Sequence, residues 1–163
     1  MRLRVLGVLS VLCLAVVFLV SGTILSSAAR ELTQEVQINR AASLNRLAQV
    51  AFDAAGDGDT ARLQREMDTY SALYAEGIVV RMQQETLSSG GLSADRPDVR
   101  DALSLARLNV NGTSLAPLEP RGSGSAVMFR SFGSAKQVLG GVVLDVNLDA
   151  ARAKLQQRWI VVA

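Results

Sequence analysis

Residues 125–148 read SAVMFRSFGSAKQVLGGVVLDVNL. Two runs rich in β-branched and aromatic residues, 125–132 and 138–148, flank the short link Gly133-Ser134-Ala135-Lys136. That pattern predicts an antiparallel hairpin. Gly140-Gly141 inside the second run predicts a bulge or bend.

Upstream, Gly77-Ile78-Val79-Val80-Arg81-Met82 predicts another strand, Gln83-Gln84-Glu85 a turn, and residues 86–89 a second strand stopped by Gly90-Gly91. A helix separates these strands from the hairpin. Pro97 suits its first turn, Asp95 or Arg96 lies near its cap, and Asp98 is favoured near its N-terminus. It runs to about Leu108 and buries Val99, Ala102, Leu103 and Ala106. Asn111-Gly112 signals a tight turn. Asn111-Gly112-Thr113 also fits a glycosylation sequon, but the same residues serve as a turn without a sugar. Residues 113–118 are expected to form a third strand ended by Pro117 and Pro120, with Arg121-Gly122-Ser123-Gly124 a flexible loop. After the hairpin, Asp149 is expected to cap a closing helix to about Arg158, with Ala150, Ala153, Leu155 and Gln157 along its path.

Before the first strand the period is helical. Residues 28–54 carry Leu32, Val36, Leu44, Leu47, Val50 and Ala51 on one stripe, with Glu35, Gln37, Asn39, Arg40, Arg46 and Gln49 between them. Two readings stay open: a helix packed on its own domain, or one that also meets a second copy along that stripe. Gly56-Asp57-Gly58-Asp59 breaks the pattern. Its D-x-D lacks the downstream Glu of an EF-hand loop, so Asp59 or Thr60 is read as the cap of a helix through Tyr74. That helix is expected to bury Leu63, Met67, Tyr70, Leu73 and Tyr74.

Residues 5–25, VLGVLSVLCLAVVFLVSGTIL, hold no charge, and Arg2 and Arg4 precede them. As a helix this run reaches roughly 30 Å, the thickness of a bilayer's hydrocarbon core. The two arginines keep the N-terminus in the cytoplasm, so the chain beyond about Ser26 is expected outside. The run is read as a retained anchor. The rival, a cleaved signal, has small residues at Ser26-Ser27-Ala28, but its apolar region usually spans only about 7–15 residues. No Gly or Pro interrupts between Thr23 and Ala55, so the spanning helix is free to continue outward as one rod. At the other end, Arg158-Trp159 before Ile160-Val161-Val162-Ala163 reads as the outer edge of a second span, cut short.

Lys+Arg number 17 and Asp+Glu 15. Setting aside Arg2 and Arg4 leaves 15 against 15, so the exported part is neutral, which argues against nucleic-acid binding. Cys13 lies in the apolar run, leaving the exported part without a thiol or disulfide. The absence of histidine removes Ser-His-Asp and Cys-His catalysis and the commonest zinc ligand. Residues 121–125 lack the Lys-Ser/Thr of a phosphate loop. No catalytic group, metal or cofactor is expected. Arg81 and Arg130 fall within predicted strands. Alternation supplies such solvent positions freely, whereas two converging arginines would hold an organic anion's carboxylates. Tyr74 is a third candidate ligand contact.

Ala29-Arg30-Glu31-Leu32-Thr33, Tyr74-Ala75-Glu76-Gly77-Ile78-Val79-Val80-Arg81, Ser89-Gly90-Gly91-Leu92, and Gly124-Ser125-Ala126-Val127-Met128 through Val138-Leu139-Gly140 carry a resemblance across essentially the whole chain. In this order of elements the chain resembles the input half of bacterial two-component sensor histidine kinases, particularly those of GC-rich Gram-positive bacteria. The resemblance implies an α+β fold of PAS-like (PDC or Cache) type: a membrane helix continuing into a long helix, then an antiparallel sheet flanked by helices. The expected organisation is a cytoplasmic tail (1–4), a transmembrane helix (5–25), an extracytoplasmic sensor domain (26–158) and the start of a second span (159–163). The resemblance further implies a homodimer, with Leu32, Val36, Leu44, Leu47 and Val50 as the natural interface. It implies a small-molecule or envelope stimulus, and a cytoplasmic response regulator reached only through a kinase region beyond Ala163. A chemoreceptor or a cyclic-nucleotide signalling enzyme would use the same input module; the other alternative is a secreted or anchored ligand-binding protein with a signal peptide.

Overall fold

A computed structural model describes residues 2–116, 118 and 124–162. Its elements run α1 (Arg2–Asp57), α2 (Thr60–Tyr74), β1 (Gly77–Met82), β2 (Thr86–Ser89), α3 (Pro97–Arg107), β3 (Ala126–Ser134), β4 (Gln137–Val146) and α4 (Asp149–Val162). The strands form one antiparallel sheet in the order β2-β1-β4-β3. β1 and β4 are central, and both faces are covered. That is why GIVV and GGVVL are unbroken small and apolar runs, not alternating ones. The architecture is the expected α+β, PAS-like arrangement.

Two cores share the sheet. On one face Ile78, Val80, Met128, Val142 and Leu144 meet Leu32, Leu44, Leu47 and Ala51 of α1, Leu63 and Met67 of α2, and Leu155 of α4. On the other, Val79 and Val143 meet Leu92 and the α3 residues Val99, Ala102 and Leu103. The α3 residues that the period selected, Ala106 included, are the ones buried.

α1 is one unbroken helix. Its first part is exposed along Val5, Leu9, Leu12, Val16, Phe18 and Leu19. Among the described residues it is one helix long and apolar enough to cross a membrane, and none of its most apolar window is buried by the rest of the chain. Asp59 caps α2, accepting the Arg62 N–H at 3.1 Å.

Five expectations change. Leu73 is 72% exposed, because it lies off the 63/67/70/74 stripe, and Tyr74 is half exposed at the helix end. The bulge falls beside Gly140-Gly141, not on it: Phe132 of β3 faces Gly140 and Gly133 faces Val138, which leaves Leu139 of β4 as the extra residue. Gly141 serves close packing: a Cβ there would stand 2.7 Å from that of Ala106. The third strand is absent among the described residues; Pro117, Pro120 and most of the 121–124 loop lie outside them. In its place Gly112 makes a two-bond bridge to Phe129, and the chain then descends along α1. There its amides find side chains: Leu115 N–H donates to Gln37 Oε1 at 3.1 Å and Leu118 N–H to Thr33 Oγ1 at 3.0 Å. Asn111 Oδ1 accepts the Ser131 N–H, the structural role of the turn. Asp149 sits in the first turn of α4, with its N–H given to Asn147 Oδ1. Ala151 and Leu155 of that helix face the core, while Ala150, Ala153 and Gln157 are exposed.

Candidate functional site

A carboxylate sits where α2 hands over to β1. The Glu76 side chain has no exposed surface. Arg40 Nε of α1 donates to its Oε1 at 2.8 Å, the backbone N–H of Asn147 donates to the same oxygen at 3.1 Å, and Tyr70 Oη donates to Oε2 at 2.7 Å. The Arg40 guanidinium also lies over the Tyr74 ring, 4.2 Å from its centroid, and the Tyr70 and Tyr74 rings are 4.6 Å apart. Burial, and then the bond to Glu76, push the Tyr70 hydroxyl well above the ordinary tyrosine range.

Three parts of the chain therefore meet on one group: α1, which is the apolar rod further down; α2; and the β4–α4 link. A buried carboxylate is costly unless paired and hydrogen-bonded, and here all three donors are supplied. Ala75, the residue before Glu76, holds φ +52°, a left-handed conformation unusual for a side chain bearing Cβ.

Beside this hub opens a cleft of about 330 Å³ lined by Ala75, Gly77, Gly90, Arg96, Asp145 and Asn147, among others. Arg96 Nη1 donates to Asp145 Oδ2 at 2.8 Å, while its Nε and Nη2 grip Asp98 at 2.7 and 2.8 Å. These bonds, Asp145 first, raise Arg96 above the ordinary guanidinium range, and the Arg96 fork holds Asp98 below the ordinary carboxylate range. Asp145 Oδ1 is buried with no hydrogen-bond partner among the described residues. The cleft wall and the Glu76 hub are the same backbone: Ala75 and Gly77 flank Glu76, and Asn147 both lines the cleft and donates to Glu76. Among the described residues this arrangement is a set of buried hydrogen bonds and ion pairs without a nucleophile–base pair. Among the described residues no group of three metal-ligating side chains occurs.

Arg81 and Arg130 are not brought together. Arg81 pairs with Gly141, on the α3 side of the sheet, and lines a cleft with Arg107. Arg130 pairs with Val142, whose row faces α1, and lines a cleft with Asn45, Gln49 and Phe52. A one-residue offset along paired strands puts them on opposite faces. Tyr74 belongs to the Glu76 hub. Of the five α1 residues considered for an interface, Leu32, Leu44 and Leu47 are buried in the chain's own core, and Val36 and Val50 are packed against it. Their stripe is thus occupied within one chain.

Sequence reasoning missed Glu76 and Arg40. A signal for Arg40 existed: it interrupts the four-residue spacing Leu32, Val36, Leu44, Ala48 at the position where the next apolar residue belongs. A charge on a buried stripe asks for a buried partner. Glu76 directly precedes the buried run Gly77–Val80, a position it shares in kind with Asp145 beside Leu144.

No family profile matches this chain, and no curated protein matches its sequence. Among solved structures, it is similar to the sensory domain of the Campylobacter jejuni chemoreceptor Tlp3 with isoleucine bound. The TM-score is 0.51 at 11% identity, over 86% of this chain and 64% of that one. The ligand-binding domain of the same receptor in complex with L-norvaline aligns at TM-score 0.45 and 14% identity, over 82% of this chain and 62% of that one. This chain thus spans less than two thirds of the length of the sensory domains it matches. What it shares with the first is the fold.

Proposed function

We propose that this chain is the extracytoplasmic input region of a membrane sensor of the two-component histidine kinase type. Residues 1–4 are the cytoplasmic tail, 5–25 the first span, 26–158 the sensor domain and 159–163 the start of a second span. The observation that carries this reading is the Glu76 hub. One buried carboxylate bonds both α1, whose apolar end is the membrane candidate, and Asn147, two residues before α4 begins. A small molecule that favours one arrangement of the cleft wall shifts Asn147 and Glu76 together, and with them the two helices that lead to the membrane. The kinase itself, and the response regulator it serves, belong to a longer protein.

A fusion of residues 1–163 to a HAMP-linked histidine kinase module, inserted in a membrane, tests the coupling. Glu76→Gln and Arg40→Gln are expected to move basal autophosphorylation several-fold in the same direction, and the pair together no further than either alone. Unchanged output in both variants, with the fold intact by circular dichroism, would overturn the reading. The fold likeness to a chemoreceptor's sensory domain favours a second reading, the input region of a chemoreceptor. The reading frame beyond Ala163 separates the two.

A further inference from the structure

Arg81 and Arg107 line one cleft of about 540 Å³ on the α3 side of the sheet, at the end away from Glu76. Arg81 rises from β1 beside Gly141, which offers no side chain to cover it. Arg107 ends α3 immediately after Ala106, the residue that Gly141 admits to close packing. The same contact between α3 and β4 thus sets both arginines around a common opening. Neither side chain has an ion pair or hydrogen bond among the described residues, and no carboxylate lines the cleft. The contrast with the Arg96 cleft is direct: there Asp145 and Asp149 supply counter-charge. Elsewhere Arg40, Arg46, Arg152 and Arg158 are each paired with an acid. A cleft lined by one sign of charge focuses its field outward and concentrates counter-ions. Between the arginines the floor is Leu103 of α3 and the bare backbone of Gly140 and Gly141, while Met82 and Leu139 line the rim and turn their side chains toward the α1 core.

We infer that this cleft binds a small organic dianion: two carboxylates joined by a short carbon chain, one on the Arg81 fork and one on the Arg107 fork, with the chain over Leu103 and Gly141. A guanidinium fork matches a carboxylate in two parallel hydrogen bonds, which a point charge does not. The volume suits a ligand of that size. The site supplies the proposed sensor with a stimulus class and rests on that reading for its role, while binding itself is measured separately.

Isothermal titration of the full 163-residue chain in nanodiscs is the test, with succinate, butyrate and inorganic phosphate as probes. Succinate is expected to bind. Butyrate, and succinate on Arg81→Gln or Arg107→Gln, are expected to bind about tenfold or more weakly. Arg107→Lys loses the fork and weakens binding too, while Arg100→Gln, on an exposed position of α3, leaves it unchanged. Both cleft arginines are at the surface, so circular dichroism is expected to match the parent in every variant. Phosphate binding as tight as succinate, full binding by Arg107→Lys, or a flat succinate titration would each overturn the assignment. A flat titration would leave the coupling through Glu76 standing, because the fusion kinase reports that without any ligand.

Discussion

Glu76 and Ala75 show how much rests on two adjacent residues. Removing the Glu76 carboxylate leaves Arg40 and the Asn147 N–H without their acceptor, so Glu76→Ala is expected to cost about 3–5 kcal/mol in urea unfolding. Tyr70→Phe deletes one bond to that carboxylate and is expected to cost about 1.5–3 kcal/mol. The pH dependence has a definite sign. The folded Tyr70 hydroxyl titrates above its ordinary value of 10.0, so its contribution is complete below that pH. It is lost as the pH rises beyond it toward the folded value. Stability should therefore fall in alkaline urea titrations above about pH 10, and Tyr70→Phe should flatten that decline. Ala75 pays for its left-handed backbone, and Ala75→Gly is expected to raise stability by about 0.5–1 kcal/mol. A loss of stability in that variant would show that the Ala75 methyl is needed in the cleft wall.

At the scale of elements, the α1 stripe packs within its own chain. The stripe Leu32/Val36/Leu44/Leu47 lies against the sheet, so the side of the rod left uncovered in one chain is Gln34, Ile38, Ala42 and Asn45. If the sensor is a homodimer through α1, disulfide crosslinking of single cysteines should peak at Ile38 and Ala42 and be absent at Leu44. A peak at Leu44 would mean that α1 leaves its own core to pair. The segment 113–118 carries a second lesson about elements. Its residues have strand-like composition, yet a strand needs a neighbour with free backbone groups. The sheet edge was reached by Gly112 alone, and the side chains of Gln37 and Thr33 took the next amides. Thr33→Val should cost about 1–3 kcal/mol by leaving the buried Leu118 N–H unsatisfied.

At the scale of the whole molecule, the apolar rod and the folded domain are mechanically continuous but energetically separate. None of the most apolar window of α1 is buried by the rest of the chain, so a chain beginning at residue 21 should keep its unfolding free energy within about 1 kcal/mol of the parent. A larger loss would place part of the rod in the domain's core. The sequence by itself determined the elements, the segment 113–118 excepted. An unbroken apolar run between two turns is a central strand wherever it lands, and the α3 residues with helical spacing, Val99, Ala102, Leu103 and Ala106, are the ones that pack. It also determined the chemistry that is excluded, since a chain without histidine has no imidazole to offer. Tertiary structure alone decided the meetings. Period fixes which way a side chain points from its own backbone, but whether Arg40 finds Glu76, 36 residues on, depends on how α1 crosses the sheet and where α2 ends. The same holds for the two strand arginines. Each was legible as a charge on a strand, but strand order and register put Arg81 beside Arg107 and sent Arg130 to the opposite face.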